Sequence, residues 1–553
     1  MAKIVDNVLY SWDETVAAVT SEIGKKSVIQ VLLDAIRNEL SKKGDRKAVI
    51  EAVPNAGHRT QVRMLSEFEP ESILLANALL RDGLEKGDVV QISLHNNTDF
   101  FFPVLASWMA GGVTSMSDPS LSSAVMAKQL DAVQPKFIFC SKDVVKNVLD
   151  ACDKVSPGTK RPKIVVLNGE SDNPAVVNSE DFTKGMSKTE VPTVHERAVE
   201  EDRALIFWSS GTTGNPKGVL NNHRSLLSNM DNQIFNSGNR TDEVFIQTTC
   251  MFHGGGFFFC IINALLNGIT LVTFCLKDPV TADMIFQACH EFKPTNLMIG
   301  SHHGVQMSSA NPDPRLDLSS VRSVVPVGAA LHERFPEELR LRFPNADSMV
   351  NAYGTTETCG IATSKSFAHC GSIVRAVQVK IIDLESGAKL GVGQVGEIYV
   401  KTPGIMTGYI NVTEEERQAA IDDEGFFKSG DLGWYNAEGV LYYHDRLKAL
   451  IKYQNFHVYP ADLECIIQKH PDIVEVGVFG IPEPSVQELI AVAAVKVEGS
   501  QITEEEILQL VNGQVDDYKK IRGGVHFVEK LPRNLQGKLL RRKIRENVFG
   551  AEN

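Results

Sequence analysis

The chain has 553 residues, 43% of them hydrophobic, a formal net charge of -13 and nine cysteines. That length suits several domain-sized units with sizeable cores, and the acidic balance argues against nonspecific nucleic-acid binding, which draws on a basic face. The odd cysteine number, with no Cys-x-x-Cys, argues against a disulfide framework or a zinc cluster and fits a reducing compartment.

In chain order, the opening "MAKIVDNVLYSWDE" carries an acidic pair and only a short apolar stretch, unlike a secretory signal. Asn-x-Ser/Thr patterns at Asn96, Asn239 and Asn411 are of chance frequency and receive no role. Buried-strand patterns then recur: "VVQISL", "KFIFCS", "KIVVLN", "ALIFWS", "ITLVTF" and "SVVPVG". Helical spacings such as "DFFFPVLASWMAGG" lie between them, so layered α/β structure with largely parallel sheets is expected. Phe257 to Cys275 is uncharged, but Asn263, Asn267 and Gly268 interrupt it. A buried helix, a turn and a buried strand are expected there rather than a membrane span. From about Gly371 short strands joined by Gly-rich turns predict a smaller antiparallel unit. Beyond "DRLK" a compact tail alternates strands and helices. Pro460 there suits a first helical turn, and "TEEE" at Thr503 reads as a helix start.

Four stretches carry candidate chemistry. "SSGTTGNPKG", Ser209 to Gly218, follows a strand with glycines, hydroxyls and Lys217. Such a loop suits phosphate oxygens. It lacks the Gly-x-x-x-x-Gly-Lys-Ser/Thr spacing of the standard phosphate loop. "NAYGTTETCG" offers Tyr353 for stacking, Thr355 or Thr356 for phosphate, and Glu357 for magnesium, which prefers oxygen ligands. "KSGDLGWYNAEGVLYYHDR" offers Asp431 for ribose hydroxyls and Arg446 behind it, with a turn-capping aspartate as the alternative. A fourth stretch, "LPRNLQGKLLRR", places Lys538 after a glycine turn, where a solvated helix start is the alternative.

These motifs, with "DRLKALIKY", stand in one order and spacing that resembles the adenylate-forming superfamily. The resemblance runs from about residue 45 to 545 and is nearest to insect luciferase-like acyl-CoA synthetases and 4-coumarate-CoA ligases. It implies an α/β fold: a large N-terminal domain of stacked α/β sheets with a small barrel-like unit (residues 1–446, the β-rich part about 371–446) and a small mobile α+β C-terminal domain (447–553). It implies that ATP and a carboxylic acid form an acyl-adenylate and pyrophosphate, and that coenzyme A then displaces AMP.

By the same resemblance, Ser209, Ser210, Gly211, Thr212, Thr213, Gly214 and Lys217 close over the β- and γ-phosphates. Asn351, Ala352, Tyr353, Gly354 and Thr355 border the nucleotide, with Tyr353 against adenine. Thr356 contacts phosphate, Glu357 carries Mg2+, Asp431 grips ribose with Arg446 in support, and Lys538 polarises the carboxylate and α-phosphate. His253 stands by the acyl carboxylate, with a buried backbone-bonded histidine as the alternative. Asn229, Gly254, Gly255, Val327, Gly328 and Ala329 are expected in the acyl pocket. Lys452 lies on the strand that swings in for the thiol step.

The chain departs from the family where "KYQN" replaces "KYKG", which puts the coenzyme A step in question. Gly254 to Gly256 replace bulkier residues, and Asn229 and Val327 make luciferin a poor expectation. The leading expectation is a carboxylate–CoA ligase for a medium- or long-chain fatty acid or an aryl-propenoic acid. An adenylating enzyme with oxygen or an amine as acceptor, and a noncatalytic adenylate-fold binding protein, are the alternatives. A cytoplasmic monomer or weak homodimer is expected, with no nucleic-acid partner and no transmembrane segment. The ending lacks Ser-Lys-Leu, which leaves a peroxisomal site as the second option.

Overall fold

The computed structural model describes residues 2–11, 26–52, 61–167, 169–193, 202–209, 216–237, 243–275, 277, 279–328, 331, 334–454, 456–533 and 539–550. The β-branched runs form two largely parallel sheets. One has eight strands, in the order Gly408–Ile410, Lys217–Asn222, Arg203–Ser209, Val113–Met116, Val89–Ser93, Phe137–Ser141, Lys163–Leu167 and Val176–Asn178. Its first three strands are antiparallel to one another and the rest are parallel. The other has seven, in the order Ser348–Met349, Ser323–Val327, Asn296–Gly300, Val244–Gln247, Thr270–Phe274, Lys47–Ala52 and Gln61–Met64. Only its last pair is antiparallel.

Helices Val28–Lys43, Leu65–Arg81, Phe101–Met109 and Gly254–Ile261 contribute to one apolar core shared with strands of both sheets. The rings of Phe101, Trp108, Phe207 and Phe258 surround Phe257 at 5.5 to 6.2 Å, edge-on or tilted as aromatic quadrupoles prefer. The uncharged stretch follows expectation. Its helix widens into a π-type turn at Ile262–Leu266, Gly268 takes φ 71°, and the strand Thr270–Phe274 follows. Among the described residues no helix is long and apolar enough to cross a membrane. All nine cysteines are free thiols.

The β-rich unit is wider than the segment from Gly371. Its nine-stranded antiparallel sheet begins with Lys3–Val5 and Val8–Tyr10 and ends with Cys359–Ser364 and Asn351–Thr355. The N-terminal hairpin is recruited because Val8–Tyr10 pairs with Gln378–Lys380. The C-terminal segment is a separate five-stranded sheet with its own apolar core. Thr503 and Glu506 form the reciprocal cap that opens its helix Glu504–Asn512. Strands Ile451–Tyr453 and Phe456–Val458 pair with Tyr453 opposite Phe456, so a two-residue turn joins them. Gln454 takes φ 48°, as the first position of a primed hairpin turn requires. Asn455 lies outside the described residues.

Candidate active site

The antiparallel pairing of Phe427–Tyr435 with Val440–Arg446 puts Asp431 opposite Arg446. Asp431 has 0% exposure, yet it keeps its charge partner: Arg446 Nε lies 2.7 Å from Oδ1. The Tyr353 hydroxyl donates to Asp431 Oδ2 at 2.8 Å. Burial, and then the Asp431 carboxylate, holds the Tyr353 phenol protonated, far above its ordinary range. The strand is irregular just before Asp431, where Gly430 takes φ 68° and Ser429 Oγ accepts the Asp431 N–H at 3.0 Å. A buried carboxylate held by a cation and a phenol, with the Arg446 side chain 41% exposed, can accept hydroxyls from a polyol such as ribose.

The "YGTTET" segment is a hairpin tip. Thr355 Oγ1 accepts the Thr358 N–H at 3.2 Å, and the two threonine hydroxyls are hydrogen-bonded to each other at 2.9 Å. That turn leaves Thr356 and Glu357 at its outer edge. Gly354 is required here, because a Cβ would stand 2.2 Å from the Cys359 carbonyl oxygen. Asn351 donates to the His369 carbonyl at 3.1 Å, which holds the base of the hairpin. Glu357 Oε1 accepts the Tyr409 hydroxyl at 2.7 Å. The Tyr409 ring in turn faces the Lys217 ammonium at 5.7 Å. Lys217 opens the strand after the glycine and hydroxyl loop, opposite Ser209. Its Nζ is 2.8 Å from Glu416 Oε1.

The acyl-site candidates gather where parallel strands of the seven-stranded sheet end, the usual place for ligands in open α/β sheets. His253 follows the strand Val244–Gln247 and precedes the helix Gly254–Ile261. Burial pushes its imidazole down to about 4, so it is neutral at physiological pH. An added Cβ at Gly254 would lie 3.8 Å from the Phe207 ring, and one at Gly255 4.0 Å from Met298 Cε. These two positions have room for side chains. Gly256 has none, since its Cβ would stand 2.1 Å from the Cys250 carbonyl oxygen. Val327 and Gly328 sit two strands along, beyond Asn296–Gly300, where Ser301 Oγ donates to the Val327 carbonyl at 2.9 Å.

Several predicted site residues stand elsewhere. Asn229 is buried against Gly404 and donates to its carbonyl at 2.9 Å. Lys452 is exposed on the small sheet, its N–H bonded to Glu488 Oε2 at 2.8 Å. Ser210, Gly211, Thr212, Thr213, Gly214, Ala329 and Lys538 lie outside the described residues. A bridge between Arg533 and Leu539 brackets the segment holding Lys538. The charge of Arg533 reaches His302, which burial and that charge depress to about 4.

Sequence reasoning missed Tyr409 and Glu416, which no local motif marks. It also missed Asn96. That side chain has 0% exposure. It donates to the Thr249 carbonyl at 2.8 Å and Thr273 Oγ1 at 3.1 Å, and accepts the Met251 N–H at 2.8 Å. Asn96 therefore fixes the segment leading to His253 from the neighbouring sheet.

Comparison with known proteins gives the family and the fold. The AMP-binding enzyme family matches residues 37–410, and the AMP-binding enzyme C-terminal domain matches residues 462–538. A luciferin 4-monooxygenase of Photinus pyralis is 31% identical over 502 residues, covering 88% of this chain and 89% of that one. 4-Coumarate–CoA ligase 1 of Petroselinum crispum is 30% identical over 527 residues, 93% of each chain. In structure, the amide bond synthetase McbA of Marinactinospora thermotolerans superposes with a TM-score of 0.80 at 24% identity, covering 95% of this chain and 99% of that one.

Proposed function

Since the chain belongs to the AMP-binding, adenylate-forming enzyme family, we propose that it is an ATP-dependent carboxylate–CoA ligase acting on a medium- or long-chain fatty acid or an aryl-propenoic acid. The observation that carries this reading is the buried Asp431 with Tyr353 and Arg446 on it. A carboxylate with no exposure is costly unless paired and bonded; here it is both, and ribose hydroxyls are assigned to this pair. The substrate carboxylate attacks the α-phosphorus, the bond to the β-phosphate breaks, and pyrophosphate leaves. A thiolate then attacks the acyl carbon and AMP leaves.

Lys217, Thr356 and the Ser209–Gly214 loop are assigned to the phosphates, where fixed cations and donors stabilise charge on the transferring oxygens, and Arg446 supports Asp431 at the ribose. Tyr353 is assigned to adenine, within the Asn351–Thr355 strand. His253, kept neutral by burial, donates to the acyl carboxylate without adding charge. Gly254, Gly255, Val327 and Gly328, with Ala329, bound the acyl chain; Asn229, bonded to the Gly404 carbonyl, is left out of that wall. Glu357 fits magnesium: one oxygen is engaged by Tyr409 and the carboxylate is the hard donor this ion takes, alongside substrate phosphates. Among the described residues no group of three or more His, Cys, Asp or Glu could cage a metal. When bound, the ion would neutralise phosphate charge.

Residues 1–446 form the adenylating domain and 447–553 the mobile one, which presents Lys538 for adenylation and Lys452 for thioester formation. The nine free thiols fit a cytoplasmic setting. An amine or oxygen acceptor is the second reading, favoured by Gln454 and Asn455 where the family has a glycine turn. Pyrophosphate release across a panel of carboxylic acids, with and without coenzyme A, decides. The ligase reading expects acid-dependent release and acyl-CoA formation. Acyl-adenylate that builds up unchanged by coenzyme A would refute it.

A further inference from the structure

Lys217 and Glu416 are held by different elements. Lys217 begins the strand Lys217–Asn222, which is paired on both sides, to Arg203–Ser209 and to Gly408–Ile410. Just before it, the Pro216 carbonyl accepts from Asn411 Nδ2 at 3.0 Å. Glu416 is fixed without help from Lys217. Its Oε2 accepts the Thr413 N–H at 3.1 Å, and Thr413 Oγ1 accepts the Glu416 N–H at 3.2 Å. This reciprocal cap aims the free oxygen, Oε1, at the Lys217 ammonium, 2.8 Å away. The Lys217 bond, and then the Thr413 N–H, holds the Glu416 carboxyl below its ordinary range, so it is ionised at neutral pH.

Lys217 thus faces two kinds of anion. One is the permanent single charge of Glu416. The other is the more highly charged polyphosphate of a bound nucleotide. When the phosphates take the ammonium, Glu416 stays beside them with the same sign of charge, and like charges at this range repel. When pyrophosphate has formed, Glu416 is the ready acceptor to which Lys217 returns.

We propose that Glu416 is a positioning residue that competes with the β- and γ-phosphates for Lys217 and thereby hastens release of pyrophosphate. The proposal rests on the reading of Lys217 as a phosphate ligand. A merely structural role predicts that loss of Glu416 weakens phosphate binding. Competition predicts the reverse.

The test is equilibrium binding of magnesium ATP and magnesium pyrophosphate to the full chain. Glu416→Gln removes the charge but keeps a side chain that serves in such caps. It is expected to bind both ligands about two- to fivefold more tightly, the scale of a solvent-accessible ion pair. The gain should shrink as salt is raised. Thr413→Ala, which loosens the cap but keeps the carboxylate, should show no tightening. Lys217→Met should weaken both ligands. Unchanged or weaker binding in Glu416→Gln, with Lys217→Met still impaired, overturns the competition and leaves Lys217 on the phosphates. If Lys217→Met binds as well as the parent, both readings fall.

Discussion

Asp431 and Arg446 are cross-strand partners whose side chains meet at 2.7 Å, the aspartate wholly buried and the arginine reaching outward. The pair therefore links the interior of the β-rich unit to its surface, the side proposed for the nucleotide. Asp431→Asn keeps the shape and the Tyr353 contact but removes the charge. Loss of a charge-assisted hydrogen bond to ligand should raise the KM for ATP about ten- to a hundredfold, with the KM for the acid little changed. Pyrophosphate exchange at saturating acid measures this, and an unaltered KM for ATP would remove Asp431 from the nucleotide site.

Asn96 makes the complementary prediction. Asn96→Ala leaves the Met251 N–H without its acceptor and the Thr249 carbonyl with Gln247 Nε2 alone, 3.0 Å away, at a cost of about 1–3 kcal/mol in stability. Because those groups lead into His253, the KM for the acid should rise roughly tenfold, while that for ATP stays within about twofold of the parent value. Equal changes in both constants would mean a general loss of structure.

The three successive glycines should answer differently to one methyl group. Gly254→Ala and Gly255→Ala fit beside Phe207 and Met298, so they should leave stability near the parent value and shift preference toward shorter acids. Gly256→Ala meets the Cys250 carbonyl oxygen. It should lower the melting temperature by several degrees or more, since overpacking costs about 1–3 kcal/mol. Thermal melts and an acid-length series separate the cases. A Gly256→Ala protein as stable as the parent would contradict the packing described.

Four histidines should set the acid side of the stability profile. Burial, the leading cause in each, depresses His223, His253 and His302 to about 4 and His303 to about 3. Their unfolded value is near 6.5, so unfolding takes up protons as pH falls below that value. Their contribution is complete above about pH 6.5 and is lost as pH falls toward 4. Glu51, raised to about 7 chiefly by burial, has the opposite sign, as do Asp118 and Glu397, so these three carboxyls offset part of the loss. Urea midpoints should fall steadily between pH 6.5 and 4.5. A flat or rising midpoint across that window would refute it.

The parallel strands were readable because a strand buried on both faces needs an unbroken apolar run, as "ALIFW" and "ITLVTF" show. Asp431, Arg446 and Glu357 stood out because each belongs to a short pattern of its own, Asp431 within a strand beside Gly430, Arg446 at a strand end and Glu357 in a hairpin turn. Asn96 was not. Its neighbours form a glycosylation pattern, and its true partners, Thr249, Met251 and Thr273, are far away in the chain. Glu416 was equally hidden, since a capping glutamate looks the same whether or not a lysine waits above it. The width of the β-rich unit was illegible for a like reason: nothing local in "VLY" says that it will pair with Gln378–Lys380.

That last pairing bears on how the molecule comes into being. Val8 is the register partner of Lys380, and Gly218 of Ile410 in the eight-stranded sheet. During synthesis from the N-terminus, both early strands leave the ribosome long before their partners exist. Two sheet edges must wait unpaired, and such edges invite association with other chains. Elongation past Ile410 is therefore the event that closes them, and a nascent chain stalled before that point is the species most in need of a chaperone.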